Sequence, residues 1–205
     1  MMNNKITNDD FSNLFKEKSA VHFIQIGANN GITVDPVNKL IKSNPNWIGI
    51  LFEPGHQAFN ELVKTYEGYD DLVLLNMAVS DIDGTTTLYC GETTPHFTLD
   101  KMKATHMFNV VPREVEVVVI SPKTIMEEFG ITHLDLLQID TEGRDFTIIK
   151  SFLENGLLPD VIRFEYVNLN YENTNGEEVI SYLSNFGYES SYVENEGDIV
   201  STLKK

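Results

Sequence analysis

The sequence predicts an α/β fold built on a mostly parallel sheet, and three observations carry that prediction. The first is the stretch FIQIGANNG, Phe23 to Gly31, where an apolar run breaks into a turn bounded by Gly27 and Gly31. That is how a buried strand enters a tight turn whose main chain a ligand can approach. The second is WIGILF, Trp47 to Phe52, another apolar run, which ends in the acid Glu53. An acidic side chain roughly 20 residues beyond a glycine turn, at the tip of the next strand, is placed to accept hydrogen bonds from both ribose hydroxyls. Together the two signals specify an adenosine site better than either alone. The third is rhythm: strand-length apolar runs alternate with segments of helical spacing, which calls for right-handed crossovers and parallel strands.

Each element follows from its own residues. Asn8 to Lys18 reads as a short helix with Phe11, Leu14 and Phe15 on one face and Asn8 or Asp9 as its cap. After the glycine turn, Asp35-Pro36 has the form of an N-cap followed by proline at the first helical position, with Val37, Leu40 and Ile41 at helical spacing. Asp35 is therefore expected to cap rather than to catalyse. Phe59, Leu62, Val63 and Tyr66 mark the next helix. Leu72 to Val79 reads as a third buried strand, and Asp83-Gly84 as a hairpin turn joining it to a β segment over Thr85 to Cys90.

From Gly91 to Glu114 the pattern turns irregular, carrying His96, Phe97, Met102, His106, Met107, Phe108 and Arg113. An irregular stretch of that length in a compact domain is commonly functional, so 91–114 is expected to be an insertion covering the substrate, with ordinary packing of its aromatics as the equal alternative. Val115 to Ile120 returns to a strand, Ser121-Pro122 starts a helix through Phe129, and Leu134 to Ile139 is a further buried strand ending in Asp140-Thr141-Glu142-Gly143. A helix with Phe146, Ile149, Phe152 and Leu153 inward, a strand Val161 to Phe164 ending at Glu165, a helix Gly176 to Phe186, and strands Tyr188 to Val193 and Ile199 to Leu203 complete the chain. Gly27, Glu53, Asp140 and Glu165 all fall at carboxyl ends of parallel strands, the edge where such sheets bind ligands.

Composition narrows the function classes. The 205 residues, 41% hydrophobic and 22% charged, fit one globular domain over 1–205. The formal charge of −16, with 15 Lys and Arg in all, argues against a nucleic-acid partner. Cys90 is the sole cysteine, so neither an intrachain disulfide nor a cysteine-rich zinc site can form. No apolar run long enough to span a bilayer and no secretory signal is visible, which makes a cytoplasmic protein the default.

IQIGANNG, the FEP of Phe52 to Pro54, NMAVSDIDG at Asn76 to Gly84 and LLQIDTEGRD at Leu136 to Asp145 occur in the order and spacing of the FkbM family of S-adenosylmethionine-dependent methyltransferases, which the chain resembles from Phe23 to Val167. The resemblance implies a class I methyltransferase Rossmann-like fold: seven strands in the order 3-2-1-4-5-7-6, the last antiparallel, with helices on both faces. It implies that the main chain of Gly27, Ala28, Asn29 and Gly31 cradles the methionine and ribose portions of S-adenosylmethionine. It places Glu53, followed by Pro54, at the ribose, and Ala78 and Val79 beside adenine, with Ser80 or Asp81 near its amino group. The family usually has an acid two residues before the first glycine, where this chain has Gln25. An amide can hydrogen-bond the ammonium of the cofactor but brings no charge, so Asp140 is expected to share that work.

Methyl transfer to a hydroxyl needs the acceptor oxygen held in line with the methyl carbon, water excluded and a proton removed. Asp140 and Glu142 are the candidates for the last task. Glu142 has the competing role of an acid favouring the start of a helix. His96 and His106 are alternative bases. Asp140, Glu142 and Glu165 could gather a hard divalent ion, although nothing in their spacing establishes a metal site. The resemblance implies O-methylation of a small-molecule hydroxyl on a sugar, glycolipid or polyketide-like product. A nicotinamide-dependent oxidoreductase shares the glycine turn and the acid, but Gly-Ala-Asn-Asn-Gly lacks the Gly-x-Gly-x-x-Gly spacing that admits a pyrophosphate. A protein that binds S-adenosylmethionine without turnover is the remaining alternative.

Overall fold

The computed structural model describes residues 4–33, 35–90, 97–98, 113–172 and 174–204. In chain order the elements are β1 (Lys5–Ile6), α1 (Asn8–Asn13), β2 (Val21–Ile26), α2 (Asn38–Ser43), β3 (Trp47–Phe52), α3 (His56–Thr65), β4 (Leu72–Leu75), β5 (Ala78–Val79), β6 (Gly84–Cys90), β7 (Phe97–Thr98) and β8 (Arg113–Ile120). There follow α4 (Pro122–Phe129), β9 (Leu136–Ile139), α5 (Asp145–Glu154), β10 (Val161–Glu165), a 3-10 turn (Leu169–Glu172), α6 (Gly176–Ser184), β11 (Tyr188–Val193) and β12 (Asp198–Leu203).

The main sheet has the order β1-β11-β12-β10-β9-β2-β3-β4. Numbered as the resemblance counts them, seven of these strands take the order 3-2-1-4-5-7-6. The count differs from expectation by one: the two residues of β1 add an eighth strand at the edge, parallel to β11. β12 runs antiparallel to both β10 and β11, and the remaining pairs are parallel.

Apolar side chains alternate between the two faces, as the period of a strand demands. Ile24, Ile26, Ile50, Phe52, Leu137 and Ile139 pack with α4, α5 and α6. Val21, Phe23, Trp47, Leu51 and Leu136 pack on the other face with Phe11, Phe15, Ile41 and Leu62. Gly49 is required here: a Cβ would sit 2.3 Å from the Phe23 ring, which lies across the β3 backbone. The second face also carries a polar row, because Gln25 on β2 registers with Gln138 on β9 and Gln138 with Arg163 on β10.

Three local expectations are corrected. The predicted strand Leu72 to Val79 divides, because the Asn76 amide donates to the carbonyls of Glu53 (2.8 Å) and Pro54 (3.1 Å) and turns the chain out of the sheet. Ala78–Val79 then joins a second, four-stranded sheet of order β5-β8-β6-β7. Asp83-Gly84 does not make a hairpin between β5 and β6: both strands pair with β8 instead, and Asp83 is engaged at the start of α4 by Ser121 N (2.7 Å) and Thr124 Oγ1 (2.8 Å). The first helix stops at Asn13 and is capped by Thr7, whose hydroxyl accepts from Asp10 N while Asp10 accepts from Thr7 N. Of the expected cover, Arg113 and Glu114 open β8 and Phe97–Thr98 pairs with Tyr89–Cys90. The rest of 91–114, with His96 and His106, lies outside the described residues. Among those described, no helix is long and apolar enough to cross a membrane.

Candidate active site

The carboxyl ends of β2, β3, β9 and β10, with β5 above them, enclose one cleft. Its walls include Gln25, Gly27, Ala28, Asn29, Glu53, Pro54, Ala78, Val79, Asp140 and Glu142. Ten of the site residues predicted from sequence therefore share one cavity. Gly31 does not line it: a Cβ there would press on Tyr66 (2.7 Å) and Leu62 (2.8 Å) of α3, so Gly31 lets the turn lie against that helix. Ser80 and Asp81 are bonded to each other and stand outside the lining.

The glycine turn owes its shape to close approach. Gly27 has φ +81°, and a Cβ would fall 1.8 Å from the Asp140 carbonyl oxygen, so the turn after β2 rests directly on the tip of β9. Gly27 N and Ala28 N donate to the Phe52 carbonyl, which ties the same turn to the tip of β3. Asn29 (φ 49°) and Glu142 (φ 57°) are left-handed without being glycine. Such conformations are held where surrounding structure enforces them and gather at binding sites.

Glu53 is only 6% exposed. Its two oxygens accept from Asn29 N (2.8 Å) and Gly55 N (2.6 Å), so it fixes the glycine turn from across the cleft. Burial pushes its pKa up to about 7, against the pull of those two amides. Asp140 is solvent-exposed where it opens onto the cleft, and desolvation by the protein packed around its carboxyl, then the like charges of Asp145, Glu165, Glu142 and Asp198, raise its pKa well above the ordinary carboxylate value. Asn168 Nδ2 donates to Glu142 Oε2 (2.9 Å) and to Glu165, holding these two acids side by side. No Lys, Arg or His lines the cleft among the described residues.

Several lining residues were not predicted from sequence to be at the site: Thr33, Met77, Leu88 and Gln138, and Asp35, which was expected only to cap. The expected N-cap at Asp35 with Pro36 opening the helix is corrected: α2 begins at Asn38 with Val37 at its N-cap position, and Asp35 instead closes the turn before it, its Oδ1 accepting from Val37 N (2.8 Å) and Asn38 N (3.1 Å). It also faces the cleft. Gln138 had a readable signal, since FIQIG and LLQID each place a glutamine two residues before the strand tip and so on one face.

The methyltransferase FkbM domain model matches residues 25–190 of the chain. No curated protein sequence matches the chain. Among solved structures, the fold is similar to an FkbM methyltransferase from Methylobacillus flagellatus KT (TM-score 0.54, 9% identity, over 97% of this chain and 48% of that one). It is also similar to a putative caffeoyl-CoA O-methyltransferase from Staphylococcus aureus (TM-score 0.53, 10% identity, 97% and 82%). A third is the O-methyltransferase from Bacillus cereus in complex with SAH (TM-score 0.51, 10% identity, 96% and 80%). The chain spans about half the length of the Methylobacillus protein. With the family model covering most of its length and the class I strand order beneath the cleft, the chain belongs to the FkbM family of S-adenosylmethionine-dependent methyltransferases.

Proposed function

We propose that the chain transfers a methyl group from S-adenosylmethionine to a hydroxyl of a small molecule, on a sugar, glycolipid or polyketide-like product. The observation that carries this reading is the cleft itself: a glycine turn, a ribose-competent acid and a cluster of carboxylates at the ends of adjacent parallel strands, with no cationic side chain among the described lining residues. A positively charged donor fits that composition, because it compensates acids that otherwise repel one another. The buried, unpartnered oxygens of Gln25, Asp35 and Gln138 fit it too, since they await donors.

Bound there, S-adenosylmethionine supplies an electrophilic methyl carbon on sulfur. The chain's own residues do the rest. The Gly27 to Asn29 main chain receives the methionine and ribose portions. Glu53 accepts from the ribose hydroxyls, and Met77, Ala78, Val79 and Leu88 offer adenine an apolar bed. Asp140, whose raised pKa makes its carboxylate a stronger base than an ordinary one, takes the proton of the acceptor hydroxyl, and Glu142 stands next to it to orient that hydroxyl. The small-molecule acceptor is supported by the acidity of the chain, which disfavours a polyphosphate partner.

The test is release of S-adenosylhomocysteine on incubation with S-adenosylmethionine and a panel of hydroxylated sugars, glycolipids and polyketides. Turnover that falls by about a hundredfold or more in Asp140→Asn supports the reading. Tight donor binding with no turnover on any acceptor would instead favour a binding protein.

A further inference from the structure

Three acceptor atoms on the same wall of the cleft lack any hydrogen-bond partner: Gln25 Oε1, Asp35 Oδ2 and Gln138 Oε1. Gln25 and Gln138 are each 3% exposed and are directly registered neighbours on adjacent parallel strands. Asp35 lies beside Gln25; burial raises its pKa above the ordinary carboxylate value, while the Val37 amide, the Gln25 side chain, the Asn38 amide and the charge of Arg163 pull the other way, so an arriving cation would favour its charged form. The neighbouring cation in the row, Arg163, is already satisfied by Asp198, Glu196 and Asn8 and has no free reason to turn toward them. Leaving three buried acceptors unmet is costly, so the arrangement is built for a donor that arrives from outside.

The donor molecule of the proposed reaction narrows the choice. Its ribose hydroxyls are accounted for by Glu53, its adenine by the apolar residues of β5, and its sulfonium has no hydrogen to give. Its α-ammonium has three N–H bonds and a positive charge, which matches three acceptors of which one is a carboxylate. We infer that Asp35, with Gln25 and Gln138, forms the seat of the α-ammonium, and that Asp35 supplies from the loop before α2 the negative charge that the neutral Gln25 does not supply from the strand. Asp35 thereby has two functions: one oxygen caps the turn into α2, and the other holds the ligand. This inference rests on the reading of the cleft as an S-adenosylmethionine site.

Calorimetry with S-adenosylhomocysteine and with its des-amino analogue, in which hydrogen replaces the α-amino group, tests it without any need for turnover. The wild type is expected to bind the des-amino compound at least about tenfold more weakly, the scale of one charge-assisted hydrogen bond. Asp35→Asn keeps an oxygen for the cap and is expected to weaken S-adenosylhomocysteine by about tenfold or more, while des-amino binding stays within about twofold. Adding Gln25→Glu to Asp35→Asn returns a carboxylate to the same wall and should restore most of the lost affinity. Gln138→Met, of similar volume, gives a milder loss of about threefold, confined to the amino compound, and serves if Asp35→Asn does not fold. Equal binding of both compounds by the wild type, or parallel weakening of both in the variants, would overturn the inference. Failure of the wild type to bind either compound would overturn the reading of the cleft itself.

Discussion

The two ends of the same three strands treat charge in opposite ways. At the amino ends of β2, β9 and β10, Lys18 reaches Asp135 and, at 2.7 Å, Asp160, while Asp135 also accepts from His22 N at 2.7 Å. His133, Asp135 and Asp160 bring potential metal-ligand atoms within 4.8 Å of one another, but the Lys18 ammonium already sits against both carboxylates. At the carboxyl ends, Asp140, Glu142 and Glu165 crowd together around a cleft with no cationic lining residue among those described. Burial opposes the charge of Asp135, yet Lys18 and the His22 amide bring its pKa below the usual value, whereas desolvation within the cleft and like-charged neighbours lift Asp140, and burial alone lifts Glu53 at the tip of β3. Charge compensated within the chain belongs to stability. Charge left for a ligand belongs to function, and it weakens the free protein.

That contrast can be broken most visibly at Lys18. Lys18→Met leaves two part-buried carboxylates facing each other, and urea denaturation should show a loss of about 2 kcal/mol, discounted from the fully buried case because Lys18 keeps some solvent contact. S-adenosylhomocysteine affinity should not change. Asp140→Asn should do the reverse. Removing one charge from the acid cluster is expected to leave stability equal or slightly higher, the gain held below about 1 kcal/mol because Asp140 is solvent-exposed, and to weaken S-adenosylmethionine by about tenfold while weakening S-adenosylhomocysteine, which lacks the sulfonium charge, distinctly less.

The pH dependence of the two ends carries opposite signs. Glu53 keeps its proton in the folded protein up to about 7 but loses it near 4.5 when unfolded, so the folded state binds more protons between these values and stability falls as pH rises through them. Asp135, with its folded pKa below 3.8, adds stability that is present above about pH 4 and is lost as pH falls through its folded pKa. Ribose hydroxyls bind the charged form of Glu53, so S-adenosylhomocysteine affinity should rise by about tenfold between pH 6 and pH 8, and Glu53→Gln should flatten that rise. The smallest effect is expected at Asn168, which bridges Glu142 and Glu165: Asn168→Ala should lower thermal stability by about 1 kcal/mol and leave donor affinity within about twofold.

Legibility in the sequence followed the same division. The carboxyl end of β2 and the whole of β3 could be read to the residue because each is an apolar run stopped by a glycine or an acid, and these stops are the cleft. β4 and β5 could not be separated, since the Asn76 amide that parts them acts on carbonyls 22 and 23 positions earlier, a contact with no local signature. Asp83-Gly84 has the composition of a hairpin turn, but the Asp83 carboxylate finds better partners at the start of α4. Asp35 read as a cap because capping is a local pattern. Its second oxygen faces the cleft only through the tertiary fold. Arg163, 1% exposed within VIRFE, announces by its residue type that acids must meet it, but which acids do so is settled by the return of β12.

The most direct test of the cleft as a donor site is calorimetric titration of the wild type and Glu53→Ala with S-adenosylhomocysteine. The wild type should bind with micromolar affinity, about −8 kcal/mol, and Glu53→Ala, which loses both the ribose acceptor and the hold on Asn29 N, should bind at least about a hundredfold more weakly. Equal affinity in the two proteins, or no binding by the wild type, would contradict the account.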